Sequence, residues 1–321
     1  FIPAMDKRVW TGCLLLVFLL LIACRGRVPQ GEQPLETEAA IRLVQTGTQG
    51  VELKVLPNYP PPVVYDKNEL VALVEVQNQG NQDLEAQDCF VQVTGFDPNN
   101  ILCGFDVPRS CAENVQTLEG KNIYNVQGGV NQLEFRSTNI ALPSGVYEYN
   151  PKFILFKACY LYHTKASPSV CVDPLFYQIT AEQKACDFRR SVLTGGGQGA
   201  PVGISYVGVQ MAGGKAVFEI NVVNLGGGRV TTNNVDIRNC DTNIEYTDLD
   251  KVKYTVQMTG ATMESCKPLD GYVRLTNNQG KIVCTFNLPN TGAYETPLLI
   301  DLDYGYIKSH QQPLKIIQTP Q

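Results

Sequence analysis

The segments VALVEVQNQG at residues 71–80 and KAVFEINVVNLG at residues 215–226 decide how this chain is read. Each places apolar residues at alternate positions and then closes on Asn-x-Gly. A period of two sends one set of side chains to one face of a strand, and Asn-x-Gly marks the turn that ends it. Within them, VEVQNQG (Val74–Gly80) and INVVNLG (Ile220–Gly226) match each other position by position.

Working outward, three more pairs of segments match in the same order. GVNQLEF (Gly129–Phe135) pairs with GKIVCTF (Gly280–Phe286), LPSGVYE (Leu142–Glu148) with LPNTGAYE (Leu288–Glu295), and Tyr160-Leu161-Tyr162 with Tyr304-Gly305-Tyr306. A spacing near 150 residues is too long for a solenoid repeat and suits a duplicated domain. From Val51 onward the remaining apolar runs, among them CFVQVTG, FILFKACYLY, KYTVQMTG and PLLIDLDYGYI, are short and bounded by Gly, Pro and Asn. None keeps a helical period. We expect an all-β chain: a signal or anchor segment at 1–24, a tether at 25–50 with a short helical candidate at Glu36–Val44, one β-sandwich domain at 51–175, a glycine-rich linker at 176–200 and a second sandwich at 201–321.

SGVY (Ser144–Tyr147) and TGAY (Thr291–Tyr294) resemble the turn that opens the sixth strand of immunoglobulin domains, where a tyrosine hydroxyl bonds back to upstream backbone. The resemblance implies two tandem immunoglobulin-like sandwiches, with Tyr147 and Tyr294 as equivalent corner tyrosines. The cysteine that the family places two residues later is replaced by Tyr149 and Thr296, and the core tryptophan is missing, because Trp10 lies in the leader. A strand ending in Asn-x-Gly, followed later by Gly-x-Tyr, also resembles the CARDB and NEW3-type modules of prokaryotic cell-surface lipoproteins.

The leader is read from Met5. Lys7 and Arg8 precede an apolar stretch that ends in LIAC, Leu21–Cys24. Counted from Val9 to Cys24, the stretch reaches roughly 24 Å as a helix, short of a hydrocarbon core of about 30 Å. LIAC resembles the lipobox of exported lipoproteins, which implies a lipid on Cys24. A plain cleaved signal, or an N-terminal membrane anchor with Arg25 and Arg27 at the headgroups, stays open beside it. Either membrane-bound form places the body at the cell membrane, facing the extracellular or periplasmic side.

The chain is 44% hydrophobic and 18% charged, with a formal net charge of −5, which opposes nucleic acid as a partner. Beyond Cys24 there are nine cysteines and only two histidines, His163 and His310, with no CxxC. Export makes disulfides the default and leaves zinc without its usual ligand spacing. A hairpin between Cys159 and Cys171 would bring that pair together. Cys103–Cys111 and Cys266–Cys284 follow from sequence proximity and strand placement, leaving Cys89, Cys186 and Cys240 over.

Several motifs have plainer readings. LPNTG (Leu288–Gly292) fits a sortase signal but lacks the apolar span and basic tail, and it aligns with a turn in the first half. The glycine runs Gly195–Gly199 and Gly226–Gly228 lack the Gly-Lys-Ser/Thr of a phosphate loop. Asp236, Asp241, Glu245, Asp248 and Asp250 lack the spacing of a Ca²⁺ loop and read as turn acids. No catalytic residue, metal site or cofactor is assigned. The expected function is a non-enzymatic adhesion or envelope-assembly protein engaging another surface protein or glycan; the rival is a glycan-binding or glycan-cleaving protein.

Overall fold

The computed structural model describes residues 41–42, 44–97, 101–138, 140–178, 184–239 and 244–320. Among them the architecture is all-β, built of antiparallel sheets. In the first half the strands are β1 (Val51–Val55), β2 (Val63–Tyr65), β3 (Leu70–Asn78), β4 (Leu84–Glu85), β5 (Cys89–Thr94), β6 (Arg109–Ser110), β7 (Thr117–Leu118), β8 (Val130–Ser137), β9 (Glu148–Ala166) and β10 (Ser169–Val172). The second half adds β11 (Val192–Leu193), β12 (Val202–Ala212), β13 (Lys215–Asn224), β14 (Arg229–Thr231), β15 (Lys251–Met258), β16 (Thr262–Lys267), β17 (Tyr272–Arg274), β18 (Gln279–Asn287) and β19 (Tyr294–Ile317). The helical candidate lies mostly outside the described residues, though Ile41, Arg42, Val44 and Gln45 are helical.

The two alternating segments quoted at the outset become β3 and β13. Leu70, Ala72, Val74 and Val76 of β3 are fully buried, as are Ala216, Phe218, Ile220 and Val222 of β13, while the residues between them are partly exposed. This is the one-sided burial that a period of two dictates. β3 lies between β1 and β8 in one small sheet, and β13 between β12 and β18 in a sheet of order β11-β12-β13-β18-β16.

The larger sheet joins the halves. Its path is β17-β15-β19-β9-β5-β6, so three strands of each half meet at β9 and β19. These two long strands run antiparallel from Ile300 opposite Ala166 to Ile317 opposite Glu148. One hydrophobic cluster extends through both halves, and residues 40–321 form one compact unit. The first half also reaches the end of the chain: β2 pairs in parallel with Lys315–Ile317, and the Asp66 carboxylate accepts the Thr319 N–H at 2.6 Å and its hydroxyl at 2.7 Å. Those bonds hold the Asp66 carboxyl below its ordinary pKa. The stretch expected as a linker is bonded into this body, Gly199 N–H donating to Gly47 O and Asn81 N–H to Gly199 O.

At the seam, four tyrosines are packed in register, Tyr160 opposite Tyr306 and Tyr162 opposite Tyr304. All four are buried, with neighbouring ring centroids 5.5 to 6.3 Å apart. Each hydroxyl reaches across to the small sheet of its own half. Tyr160 Oη accepts the Val51 N–H at 3.1 Å and Tyr304 Oη the Val202 N–H at 3.3 Å, while Thr164 Oγ1 lies 2.9 Å from Tyr304 Oη. Tyr162 Oη accepts the Gln82 N–H at 3.3 Å and lies 3.5 Å from Asn78 Oδ1. Its counterpart Tyr306 Oη accepts the Gly228 N–H and donates to Asn224 Oδ1, both at 2.8 Å. The asparagines are themselves duplicated: Asn78 Nδ2 donates to Gln82 O, and Asn224 Nδ2 to Gly228 O. Two of the four matched sequence pairs are therefore the two sides of one contact, made once in each half.

The glycine of Asn-x-Gly belongs to this contact through close approach. A Cβ at Gly80 would sit 1.7 Å from Tyr162 Oη, and one at Gly226 would sit 2.5 Å from Tyr306 Oη and 2.4 Å from Pro201 Cβ. We therefore expect Gly80→Ala and Gly226→Ala each to destabilise the fold by about 1–3 kcal/mol or more, from overpacking and displacement of a buried hydrogen-bonded hydroxyl. Gly292→Ala, where a Cβ meets nothing within 4 Å, should stay within about 0.5 kcal/mol of the parent. Urea unfolding with disulfides intact measures all three.

Burial pushes the phenol of Tyr306 up to about 12 and raises those of Tyr160, Tyr162 and Tyr304 well above the ordinary value, because the phenolate would lose its hydration. The fold thus holds the neutral phenols. Their contribution is complete below about pH 10, the value in the unfolded chain, and is lost as pH rises through the folded values. A spectrophotometric titration should show a late tyrosinate step that coincides with loss of the far-UV β signal; smooth ionisation of all phenols with the fold intact would contradict it.

Candidate functional site

The outward face of the shared sheet carries a cluster of titratable side chains. His163 of β9 stands directly opposite Asp303 of β19, and Lys165 opposite Asp301. His163 Nδ1 lies 2.6 Å from Asp303 Oδ1, and Nε2 lies 3.2 Å from Asp301 Oδ1, within ion-pair range but too poorly aligned for a hydrogen bond. The His163 backbone N–H donates to Gln82 Oε1. Beside this cluster the face is apolar and covered: Phe90, Cys159 and Ile237 pack together with Leu161 and Ile307, and the Arg238 guanidinium lies over the Phe90 ring at 5.0 Å.

Chemically the cluster is a base with two carboxylate partners. A nucleophilic site also needs a hydroxyl or thiol within hydrogen-bond reach of the imidazole. Among the described residues, the hydrogen bonds of His163 go to Gln82 and Asp303. No group of three or more His, Cys, Asp or Glu among the described residues is placed to hold a metal ion. The arrangement can tie β9 to β19 across the ladder, which is how paired charges on neighbouring strands act.

Several surface hollows are open to solvent. One of about 420 Å³ is lined by Leu73, Arg109, Glu113, Gln132, Glu134 and Arg136 among others, and one of about 510 Å³ includes Asn81, Lys165, Thr194 and Gln198. The exposed tyrosines, among them Tyr124, Tyr147, Tyr177 and Tyr246, line neither of these, while a third hollow of about 480 Å³ includes Phe176, Phe188, Arg189 and Arg190.

Three disulfides join described residues: Cys89–Cys111, Cys171–Cys186 and Cys266–Cys284. They fit an oxidising compartment outside the cytoplasm. The expected Cys159–Cys171 bond is corrected. After Ala166 the chain does not fold back on β9; β10 pairs with the start of β19, placing Cys171 opposite Glu295, and Cys171 bonds Cys186. Cys159 is disulfide-bonded elsewhere. The expected Cys103–Cys111 bond is corrected too. β6 pairs with β5, Phe90 opposite Ser110, and one step further the Cys111 N–H donates to Cys89 O, so the ladder itself brings Cys89 and Cys111 together while Cys103 sits exposed on a turn. Cys266 and Cys284, the third expected pair, face each other in the β16–β18 ladder with Cα atoms 4.1 Å apart.

The corner tyrosines take unlike places. Tyr147 is 74% exposed and precedes β9, with no hydroxyl partner among the described residues. Tyr294 opens β19 opposite Val172, its hydroxyl buried without a hydrogen bond. Tyr149, two residues past Tyr147, is the one that accepts a backbone N–H, from Asp97 at 3.2 Å. The LPNTG stretch is a turn, with Leu288 N–H on Gly214 O and Thr291 N–H on Pro289 O. Of the acidic residues, Asp236 accepts the Arg238 N–H and the Asn239 amide, which holds its carboxyl below the usual range, and Asp248 accepts the Thr232 hydroxyl. Cys24, Cys240 and Asp241 lie outside the described residues. The seam tyrosines, matched in sequence but assigned no role there, turn out to be the principal polar groups of the core.

No protein-family model matches this chain, and no curated protein matches it. Among solved structures it is similar to the secreted serine protease VesC from Vibrio cholerae at 12% identity, with a TM-score of 0.17 over 84% of this chain and 52% of that one. This chain thus spans about half the length of that protein, and a likeness at this level carries no argument about activity.

Peptide mapping under non-reducing conditions should return Cys89–Cys111, Cys171–Cys186 and Cys266–Cys284 crosslinks, and neither Cys159–Cys171 nor Cys103–Cys111. Replacing Cys171 and Cys186 together by Ala should cost about 2–4 kcal/mol in denaturant unfolding, since it opens a loop of 15 residues. It also loosens the segment whose Lys184 pairs with the buried Asp173 carboxylate at 2.5 Å.

Proposed function

We propose that this chain is an exported, membrane-tethered surface protein that acts without catalysis, as an adhesion or envelope-assembly module presenting two immunoglobulin-like sandwiches fused along one sheet. The observation that carries this reading is the fusion itself. β9 and β19 weld the halves into one body whose loops are pinned by disulfides, which suits a rigid display of edges and loops outside the cytoplasm. Its partner is another surface molecule and its tether is Cys24, by the lipobox-like LIAC. A carboxylate pair and a His–Asp contact lie on the sheet, yet both belong to the ladder that holds β9 to β19.

The test is mass spectrometry of the native N-terminus together with fractionation of cells expressing Cys24→Ala. A lipid on Cys24, membrane association of the parent and release of the variant are expected. A retained Lys7 or an unmodified Cys24 would overturn the lipid tether, and a body inaccessible to added protease in intact cells or spheroplasts would overturn surface display.

A further inference from the structure

The two halves differ at one edge. In the second half β18 is paired on both sides, with β13 on one and β16 on the other, and the β16 side is locked by Cys266–Cys284. In the first half β8 takes the place of β18: it pairs with β3, the counterpart of β13. No strand pairs with its other side among the described residues.

The ladder shows which groups are left over. Asn78 N–H donates to Gly129 O, and the register continues without a shift from Gln77 opposite Val130 to Leu70 opposite Ser137. In an antiparallel pair, hydrogen-bonded and non-hydrogen-bonded positions alternate. Asn131, Leu133, Phe135 and Ser137 therefore bond to β3, and the backbone of Gln132, Glu134 and Arg136 faces outward. The Gln132 N–H is capped by Asn131 Oδ1, whose amide holds the carbonyls of Cys111 and Glu113. The amides and carbonyls of Glu134 and Arg136 have no partner among the described residues. Such an edge is usually blunted by proline, by a bulge, by brevity, by charged side chains or by a covering loop. β8 has eight residues, no proline and a regular register.

We propose that β8 is a docking edge for a second copy of this chain, its β8 running antiparallel to the first and filling the place that β16 fills in the second half. The charge pattern selects this occupant. Glu134 and Arg136 stand on the same exposed side, bonded to each other, with Glu69 also on Arg136. A two-fold axis at Phe135 sets Glu134 of each copy opposite Arg136 of the other, twice, and both positions are ones whose backbone faces outward. The hollow lined by Arg109, Glu113, Gln132, Glu134 and Arg136 flanks this edge. Isologous pairing of this kind closes at two copies and leaves no further edge of the same sort.

This deepens the assembly reading and rests on it only for where the dimer forms. Sedimentation of the full chain in mild detergent gives the oligomeric state. A dimer is expected, weakened about tenfold or more by Arg136→Glu, which sets like charges opposite each other, and restored by the exchange Glu134→Arg with Arg136→Glu. Glu134→Pro, which removes an outward N–H that bonds nothing in the monomer, should weaken it as well. Thermal melts and disulfide maps establish that each variant is folded. A parent that stays monomeric at every concentration reached, a dimer indifferent to Arg136→Glu, or a charge exchange that does not restore it would overturn the proposal. A monomer with a lipid on Cys24 sinks the edge pairing alone, whereas a β8-dependent dimer with Cys24 unmodified sinks the tether alone.

Discussion

A phenol placed in a core must find a hydrogen-bond partner there, and four of them meet at the seam of this molecule. Tyr160, Tyr162, Tyr304 and Tyr306 fill the inner face of β9 and β19, and each solves its own satisfaction by gripping the small sheet of its half. The rings supply apolar bulk to the shared sheet while the hydroxyls fix the distance to the layer above. The seam is thereby both the centre of the hydrophobic core and the place where each small sheet is tied down. Removing one hydroxyl leaves a buried amide unpaired, and adding one methyl group at Gly80 or Gly226 pushes a ring out of register.

Much of the fold was legible in the residues. The all-β class follows from period-two runs such as Leu70–Asn78 and from their turn residues, and the matched segments pointed to residues that make like contacts in each half. Pattern matching shows likeness, though, and contact is a different relation. Asn78 with Gly80 and Tyr160 with Tyr162 were each paired with a distant copy, while their meeting with one another depends on how sheets stack, which local periodicity does not encode. Two of the three expected disulfides failed for a related reason, while Cys266–Cys284 formed as expected. Cys159 and Cys171 flank what reads as a hairpin, but Ser169–Val172 departs to another strand, and a local turn signal does not say which strand receives the next one. Tyr147 and Tyr294 shared a motif, yet one is solvent-exposed before its strand and the other begins a strand.

The halves have also diverged in instructive ways. Where the second half has the β15–β16 excursion and a disulfide between directly opposed strands, the first half has a loop whose Leu102 and Phe105 plug the core, with Phe105 against Phe135 at 6.3 Å between ring centroids. The apolar requirement is met in both, and the backbone requirement only in one. His163 shows the same freedom on the outer face. Its counterpart across the pseudo-symmetric seam is the apolar Ile307, so the charged pair with Asp303 belongs to one side of the seam only.

The order of synthesis gives the shared sheet a further meaning. β9 ends at Ala166, but the strand that completes its pairing spans Tyr294–Ile317 and is made much later. During synthesis or translocation the first half must wait with β9 paired to β5 on one side and open on the other, while more than a hundred residues follow. Contacts so distant in sequence close slowly, and open strand edges invite misassociation in the interval. A chain built this way depends on Tyr294–Ile317 to complete the sheet that β5 and β9 begin. Loss of Tyr294–Ile317 would therefore cost both halves at once, and passage to an oxidising compartment in an unfolded state would suit such a chain better than folding from the N-terminus as it emerges.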